Sequence, residues 1–250
     1  MGITINPLIK RLIILFVCLI LLIALLCNFM VIVNGGIVYR FTENYTCYDL
    51  EADNEALKNL EKLHEIRHLE IYSYSITNID FVKDMRDLRY LWIESEKVED
   101  YGILKSCDDL DTLCLRYIDK QNLEDISKNE HLKVLHIKNC HDLSDISSLS
   151  NLTGLTSLGL CNADITDIST ILCLKDLKDL DLFSNRSLED INGIEQLDQL
   201  EEINLAGTSV TDLKPLKNVK TLKNVVLSVG QIDEDTTRLL YENGIEVEFL

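Results

Sequence analysis

Residues 155–205 read LTSLGLCNADITDISTILCLKDLKDLDLFSNRSLEDINGIEQLDQLEEINL, and this stretch decides the fold. Apolar residues stand at Leu155, Leu158 and Leu160, again at Leu177, Leu180 and Leu182, and again at Leu200, Ile203 and Leu205. The same spacing, three residues and then two, returns after 22 and then 23 residues. Working outward, units with this spacing start at Ile66, Leu88, Leu110, Leu132, Leu155, Leu177, Leu200 and Leu222, each 22 or 23 residues from the last. Eight copies with so little variation in length make a repeat array the first expectation. The two apolar residues spaced by two mark a short strand with alternate side chains inward. A second set follows at steps of three, as in Leu188, Ile191, Ile194 and Leu197, which suits a short 3₁₀ or helical return.

The wording LxxLxLxx(N/C/T)x(I/L) resembles the leucine-rich repeat, in the short 22-residue form of internalin-type surface proteins. The resemblance covers about residues 66–232. It implies an α/β fold, a right-handed solenoid with parallel strands on the concave face and short 3₁₀ or helical turns on the convex face. The residues agree, because each unit has an apolar face that only its neighbours can cover. One departure concerns the asparagine eight places into each unit. Only Asn185 supplies it, with Cys140, Ala163 and Thr208 elsewhere, so the hydrogen bonding of the turns should be uneven. Caps are expected at both ends: a helix over 53–63 behind Asp53 within a linker-and-cap segment 34–65, and a helix and strand over 233–250.

Composition sets the remaining bounds. Leu alone accounts for 44 of 250 residues, and 46% of the chain is hydrophobic against 6% aromatic, so the core is aliphatic. Residues 12–33 carry no charge and, at about 1.5 Å per residue, reach roughly 33 Å, enough to cross a bilayer core. They are read as an uncleaved single-pass anchor. Lys10 and Arg11 before it place residues 1–11 in the cytoplasm and the repeats outside. Beyond residue 33 stand 22 basic and 42 acidic residues, a net of −20, which argues against nucleic-acid binding. Of three glycosylation sequons, one falls on the inward Asn185, where a glycan would conflict with the fold; this favours a bacterial surface.

In a solenoid the strand residues between the buried ones point outward on the concave face. The candidate protein-binding residues are therefore Tyr72, Tyr90 and Trp92 in the N-terminal third, Arg116, His136 and Lys138 in the middle, and Asp179, Asp181 and Phe183 beyond. Trp92 is the only tryptophan, and exposed aromatics of this kind anchor protein interfaces. Cys114, His136 and Cys161 fall on three successive strands, but the outer two would lie about 10 Å apart, too wide for one zinc ion or a disulfide. No metal or other cofactor is expected, and no nucleophile–base pair suggests an enzyme. A column of acids, Asp100, Asp125, Asp145, Asp167, Asp190 and Asp212, with Asn78 in the first unit, is read as capping the convex turns rather than as a calcium ladder. The expected function is adhesion or surface interaction, the concave face binding a protein ligand or a neighbouring membrane protein. The rival reading is a membrane-tethered intracellular scaffold similar to phosphatase-binding leucine-rich-repeat subunits.

Overall fold

A computed structural model describes residues 66–250 apart from Tyr74, His141, Asp142 and the side chain of Asp84, together with the backbone of three earlier strands. These are β1 (Met30–Val33), β2 (Gly36–Phe41) and β3 (Asn44–Tyr48). The repeats contribute β4 (His68–Tyr72), β5 (Tyr90–Glu94), β6 (Thr112–Arg116) and β7 (Val134–Lys138). Then come β8 (Ser157–Cys161), β9 (Asp179–Asp181), β10 (Glu202–Asn204) and β11 (Asn224–Leu227). The last strand is β12 (Glu246–Phe249). All twelve form one sheet in sequence order. From β3 to β12 every pairing is parallel, whereas β1, β2 and β3 are joined antiparallel.

Register follows the repeat. Leu69 faces Leu91, Leu113, Leu135, Leu158, Leu180, Ile203, Val225 and Val247 in turn, each 22 or 23 residues on. The inward residues from Leu69 to Val225 are at most 1% exposed, and Ile71, Ile93, Leu160 and Leu182 beside them are equally closed off. Strand, turn and return thus pack a single aliphatic column along the array. The returns are 3₁₀ turns such as Asp80–Asp84, Gly102–Ser106, Ser147–Asn151 and Lys214–Asn218. In the third repeat the return is a true helix, α1 (Lys120–Ile126). Asp119 and Asn122 bond each other's backbone amides at its start, at 2.8 and 3.0 Å, and the segment holds no Gly or Pro to break it.

The acidic column behaves as turn chemistry requires. Asn78, Asp100, Asp145, Asp167, Asp190 and Asp212 each accept the amide two residues on, at 2.7–3.3 Å. Asp125 is the exception and corrects the sequence reading. It lies within α1, bonded to Lys128 at 2.6 Å, because Asp119 has taken the capping role in that repeat.

Turn bonding is uneven, and the structure shows how. Asn185 uses all four of its hydrogen bonds inside the stack: Oδ1 accepts from the Ala163 and Ile165 amides at 3.1 and 3.0 Å, and Nδ2 donates to the Leu160 and Leu182 carbonyls at 2.7 and 2.8 Å. Cys140 Sγ accepts the Ile118 amide at 3.1 Å, and Thr208 donates to the Leu205 carbonyl at 2.7 Å. In the first two repeats buried serines take over, one place earlier. Ser73 accepts the Ile76 amide at 3.3 Å, and Ser95 donates to the Ile76 carbonyl at 3.1 Å. From the third repeat to the seventh, the same place holds a left-handed residue: Tyr117, Asn139, Asn162, Ser184 and Gly207. At Gly207 an added Cβ would also come within 3.0 Å of the Ser184 backbone.

At the N-terminus the structure departs from expectation. Residues 36–48, expected as part of a linker, hold β2 and β3, and Met30–Val33, expected as the end of the anchor, form β1. Val31, Ile32 and Val33 are β-branched, and the Asn34-Gly35 pair before Gly36 is a strong hairpin signature, so the local preference is for strand. The rest of the expected anchor, residues 12–29, and the expected cap helix over 53–63 lie outside the described residues. Among the described residues no helix is long and apolar enough to cross a membrane. At the C-terminus, Asp233 Oδ1 caps α2 (Glu234–Glu242) through the Thr236 amide at 2.7 Å, and Gly244, at φ 77°, turns the chain into β12.

Replacing Asn185 with Ala leaves buried amides and carbonyls in two adjacent turns without partners. We expect a loss of about 3 kcal/mol, read as a lower urea midpoint by circular dichroism. Thr208→Val removes one short bond, to the Leu205 carbonyl, and two longer ones at a half-buried position, and should cost far less; equal effects would sink the assignment.

The concave face as candidate binding surface

Strand register places the outward residues in columns, and side chains on adjacent strands complete one another's bonding. On β4 and β5 the His68 ring stacks flat on Tyr90, with centroids 3.9 Å apart and planes 1° from parallel. Tyr72 and Trp92 sit next to this pair, centroids 6.2 Å apart and tilted by 31°. Glu70 ties the rings together, receiving His68 Nε2 at 2.9 Å and the Tyr72 hydroxyl at 3.5 Å. Tyr72, Tyr90 and Trp92 therefore form one patch. His68 and Glu70 belong to it, although they were not singled out among the candidate residues; the cue was their position two and four places into the first unit, in register with Tyr90 and Trp92.

Two donors in this region have no acceptor. The Trp92 indole N–H and the Arg116 Nε–H are both buried and unbonded. Arg116 gives its Nη1 to Glu94 at 3.0 Å on the neighbouring strand, so its charge is partly offset. Burial pushes the Tyr90 phenol well above its usual range, and the Cys114 thiol across the register is raised too, again chiefly by burial.

The middle of the face is a hydrogen-bonded row. Ser157 Oγ donates to Asp179 Oδ2 at 2.7 Å and lies 2.9 Å from His136 Nε2. A serine has one proton, so His136 must be the donor in its bond. That order is wrong for a general base acting on the serine, which would need an imidazole lone pair aimed at the hydroxyl. His136 lies over Gly159, where an added Cβ would come 3.1 Å from its ring. Burial lowers the His136 pKa, and Lys138 on the same strand adds to this, against the opposing pull of Asp179 and Asp181.

Further along the same two strands, Cys161 Sγ donates to Asp181 Oδ2 at 3.0 Å. Burial and that carboxylate push the thiol up to about 12, so it is protonated and a poor nucleophile. Asp181 Oδ1 also accepts the Phe183 amide at 3.0 Å, and the Phe183 ring stands 41% exposed at the strand end. His136 and Cys161 are each committed to other partners. Among the described residues no group of three metal-ligating side chains lies close enough to hold an ion.

Because the His136 pKa falls on folding, the unfolded chain binds more protons below about pH 6.5, and stability supported by neutral His136 is lost on acidification. The stability advantage of the wild type over His136→Gln should therefore shrink between about pH 7.5 and about pH 5.5. A difference independent of pH would refute this.

No family model matches the sequence, and no curated protein does. Solved structures do match. Internalin C2 from Listeria monocytogenes is 21% identical with a TM-score of 0.64, over 78% of this chain and 91% of that one. A leucine-rich-repeat protein of Leptospira interrogans is 17% identical with a TM-score of 0.61, over 80% of this chain and 58% of its own. A chain from the structure of a TLR13–ssRNA13 complex is 18% identical with a TM-score of 0.59; 81% of this chain matches 31% of it. What this likeness shows is the fold, a leucine-rich-repeat solenoid with a parallel sheet along one side.

Proposed function

We propose that this chain binds a protein ligand through its concave face while held at a membrane by its N-terminal apolar run, with the repeats displayed outside. The observation that carries the reading is the aromatic patch of Tyr72, Tyr90 and Trp92, in which a buried indole N–H lacks an acceptor. Aromatic anchors dominate protein interfaces. The face turns acidic toward Asp179 and Asp181, and the net charge of −18 disfavours a nucleic-acid ligand. Arg116, His136, Lys138 and Phe183 are read as the flanking contacts.

The anchor is read from the uncharged run of residues 12–33, of which Met30–Val33 form β1 and residues 12–29 lie outside the described residues. Its orientation rests on Lys10 and Arg11 on the N-terminal side of the run. An adhesive or assembly role needs no chemistry from the chain.

A Tyr90→Ala, Trp92→Ala double variant should keep its circular dichroism spectrum yet bind a co-purified partner at least about 30-fold more weakly. Unchanged affinity would remove the patch from the interface. Protease added to intact cells should digest residues 66–250, whereas protection would place them on the cytoplasmic side.

A further inference from the structure

The outward row nearest the C-terminal ends of the strands runs in register from Tyr72 through Glu94, Arg116 and Lys138 to Cys161. Phe183 continues it, two places beyond Asp181, which faces Gly159; the Phe183 carbonyl accepts the Asn162 amide at 2.8 Å. The row places two cations side by side at its centre and an aromatic ring at each end. At about 4.8 Å per strand, Tyr72 stands about 10 Å from Arg116 and Phe183 about 10 Å from Lys138, and the whole row spans about 24 Å.

The two cations are not equally satisfied. Arg116 gives Nη1 to Glu94 at 3.0 Å, and its Nη2 has no partner among the described residues. Lys138, half-buried on the neighbouring strand, makes no hydrogen bond or ion pair through its ammonium group among the described residues. The nearby carboxylates face elsewhere: Asp179 accepts the Ser157 hydroxyl at 2.7 Å, and Asp181 holds the Cys161 thiol and the Phe183 amide, each at 3.0 Å. Burial governs the pKa of Cys114, His136 and Cys161, and the charge of Lys138 lowers all three, so the ammonium group stands over the strands.

Charge selects what fits. Charge-assisted hydrogen bonds to a carboxylate are the strong ones open to both groups. Glu94 offsets Arg116, so the pair presents little more than one net positive charge, with Glu70 on β4 and Asp179 and Asp181 on β9 two strands away on either side. A single carboxylate matches that setting, whereas a run of phosphates sets its further charges against those acids.

We propose that the concave face takes a segment of a partner protein that carries Glu or Asp between two apolar side chains. Its carboxylate settles between Arg116 and Lys138, and its apolar groups lie against Tyr72 at one end of the row and Phe183 at the other. This rests on the reading of the concave face as the binding surface and names what that face recognises.

The test uses the full chain in non-ionic detergent and a fluorescein-labelled peptide, Leu-Ser-Ser-Ser-Glu-Ser-Ser-Ser-Leu, whose Leu and Glu side chains share one face when extended over about 27 Å. Its counterpart carries Gln in place of Glu, and binding is read by fluorescence anisotropy. The Glu peptide should bind at least about tenfold more tightly than the Gln peptide. Lys138→Glu should erase that preference with the circular dichroism spectrum intact, and Lys138→Arg should retain it. Equal affinity for the two peptides, no binding of the Glu peptide at millimolar concentration, or a preference that survives Lys138→Glu would overturn the proposal. So would displacement of the peptide by single-stranded poly-uridine, or light scattering that shows the full chain paired and parted by Lys138→Glu. Loss of partner binding in the Tyr90→Ala, Trp92→Ala variant, without a preference for the Glu peptide, would leave the concave face as the binding surface and remove only this recognition.

Discussion

Everything in this protein depends on one constraint: each turn of the chain must advance by a single strand spacing, about 4.8 Å, and bring its apolar residues back over those of the turn before. No repeat has a core of its own. Leu135 is buried by Leu113 on one side and Leu158 on the other, and the same holds along the column from Leu69 to Val225. Polar groups inside the coil must likewise be satisfied within two adjacent turns, which is why Asn185 bonds to residues of both its own and the preceding repeat.

That constraint separates scaffold from surface. Inward positions are held to aliphatic residues of nearly constant volume, while outward positions answer only to their immediate neighbours on the next strands. The concave face accordingly changes character along its length, from stacked rings at His68 and Tyr90, through the Arg116–Glu94 pair, to the row formed by His136, Ser157 and Asp179. Short returns on the convex side absorb the differences between repeats, including the replacement of a 3₁₀ turn by α1, without disturbing strand register.

The periodic part of the molecule was legible because burial there is decided largely by spacing: the three-then-two pattern assigned Leu158 and Leu160 inward and Ser157 outward, as the structure has them, whereas Gly159, assigned outward as well, is buried beneath the His136 ring. The patch of Tyr72, Tyr90 and Trp92 followed from the same arithmetic. What escaped was non-periodic. β2 and β3 share no spacing with the repeats, and their signal was a hairpin signature next to an apolar run that invited a different reading. Ser73 and Ser95 do the work of the turn asparagine from one position earlier, so aligning on position eight passed over them. Asp125 was misassigned because a column drawn through the repeats takes no account of Asp119 having started a helix first. The bonds that hold His136 and Cys161 depend on which side chains meet across strands, which spacing does not reveal.

The chemical gradient along the concave strands has a further consequence. Ten parallel strands give the surface a direction, with rings at one end and carboxylates such as Asp179, Asp181, Glu246 and Glu248 at the other. An elongated ligand lying across them meets different chemistry at its two ends, so turning it end for end costs it both matches at once. If the face binds as proposed, the order of the repeats encodes the orientation of the bound molecule, and exchanging two of them would change which way round a ligand lies without altering the shape that receives it.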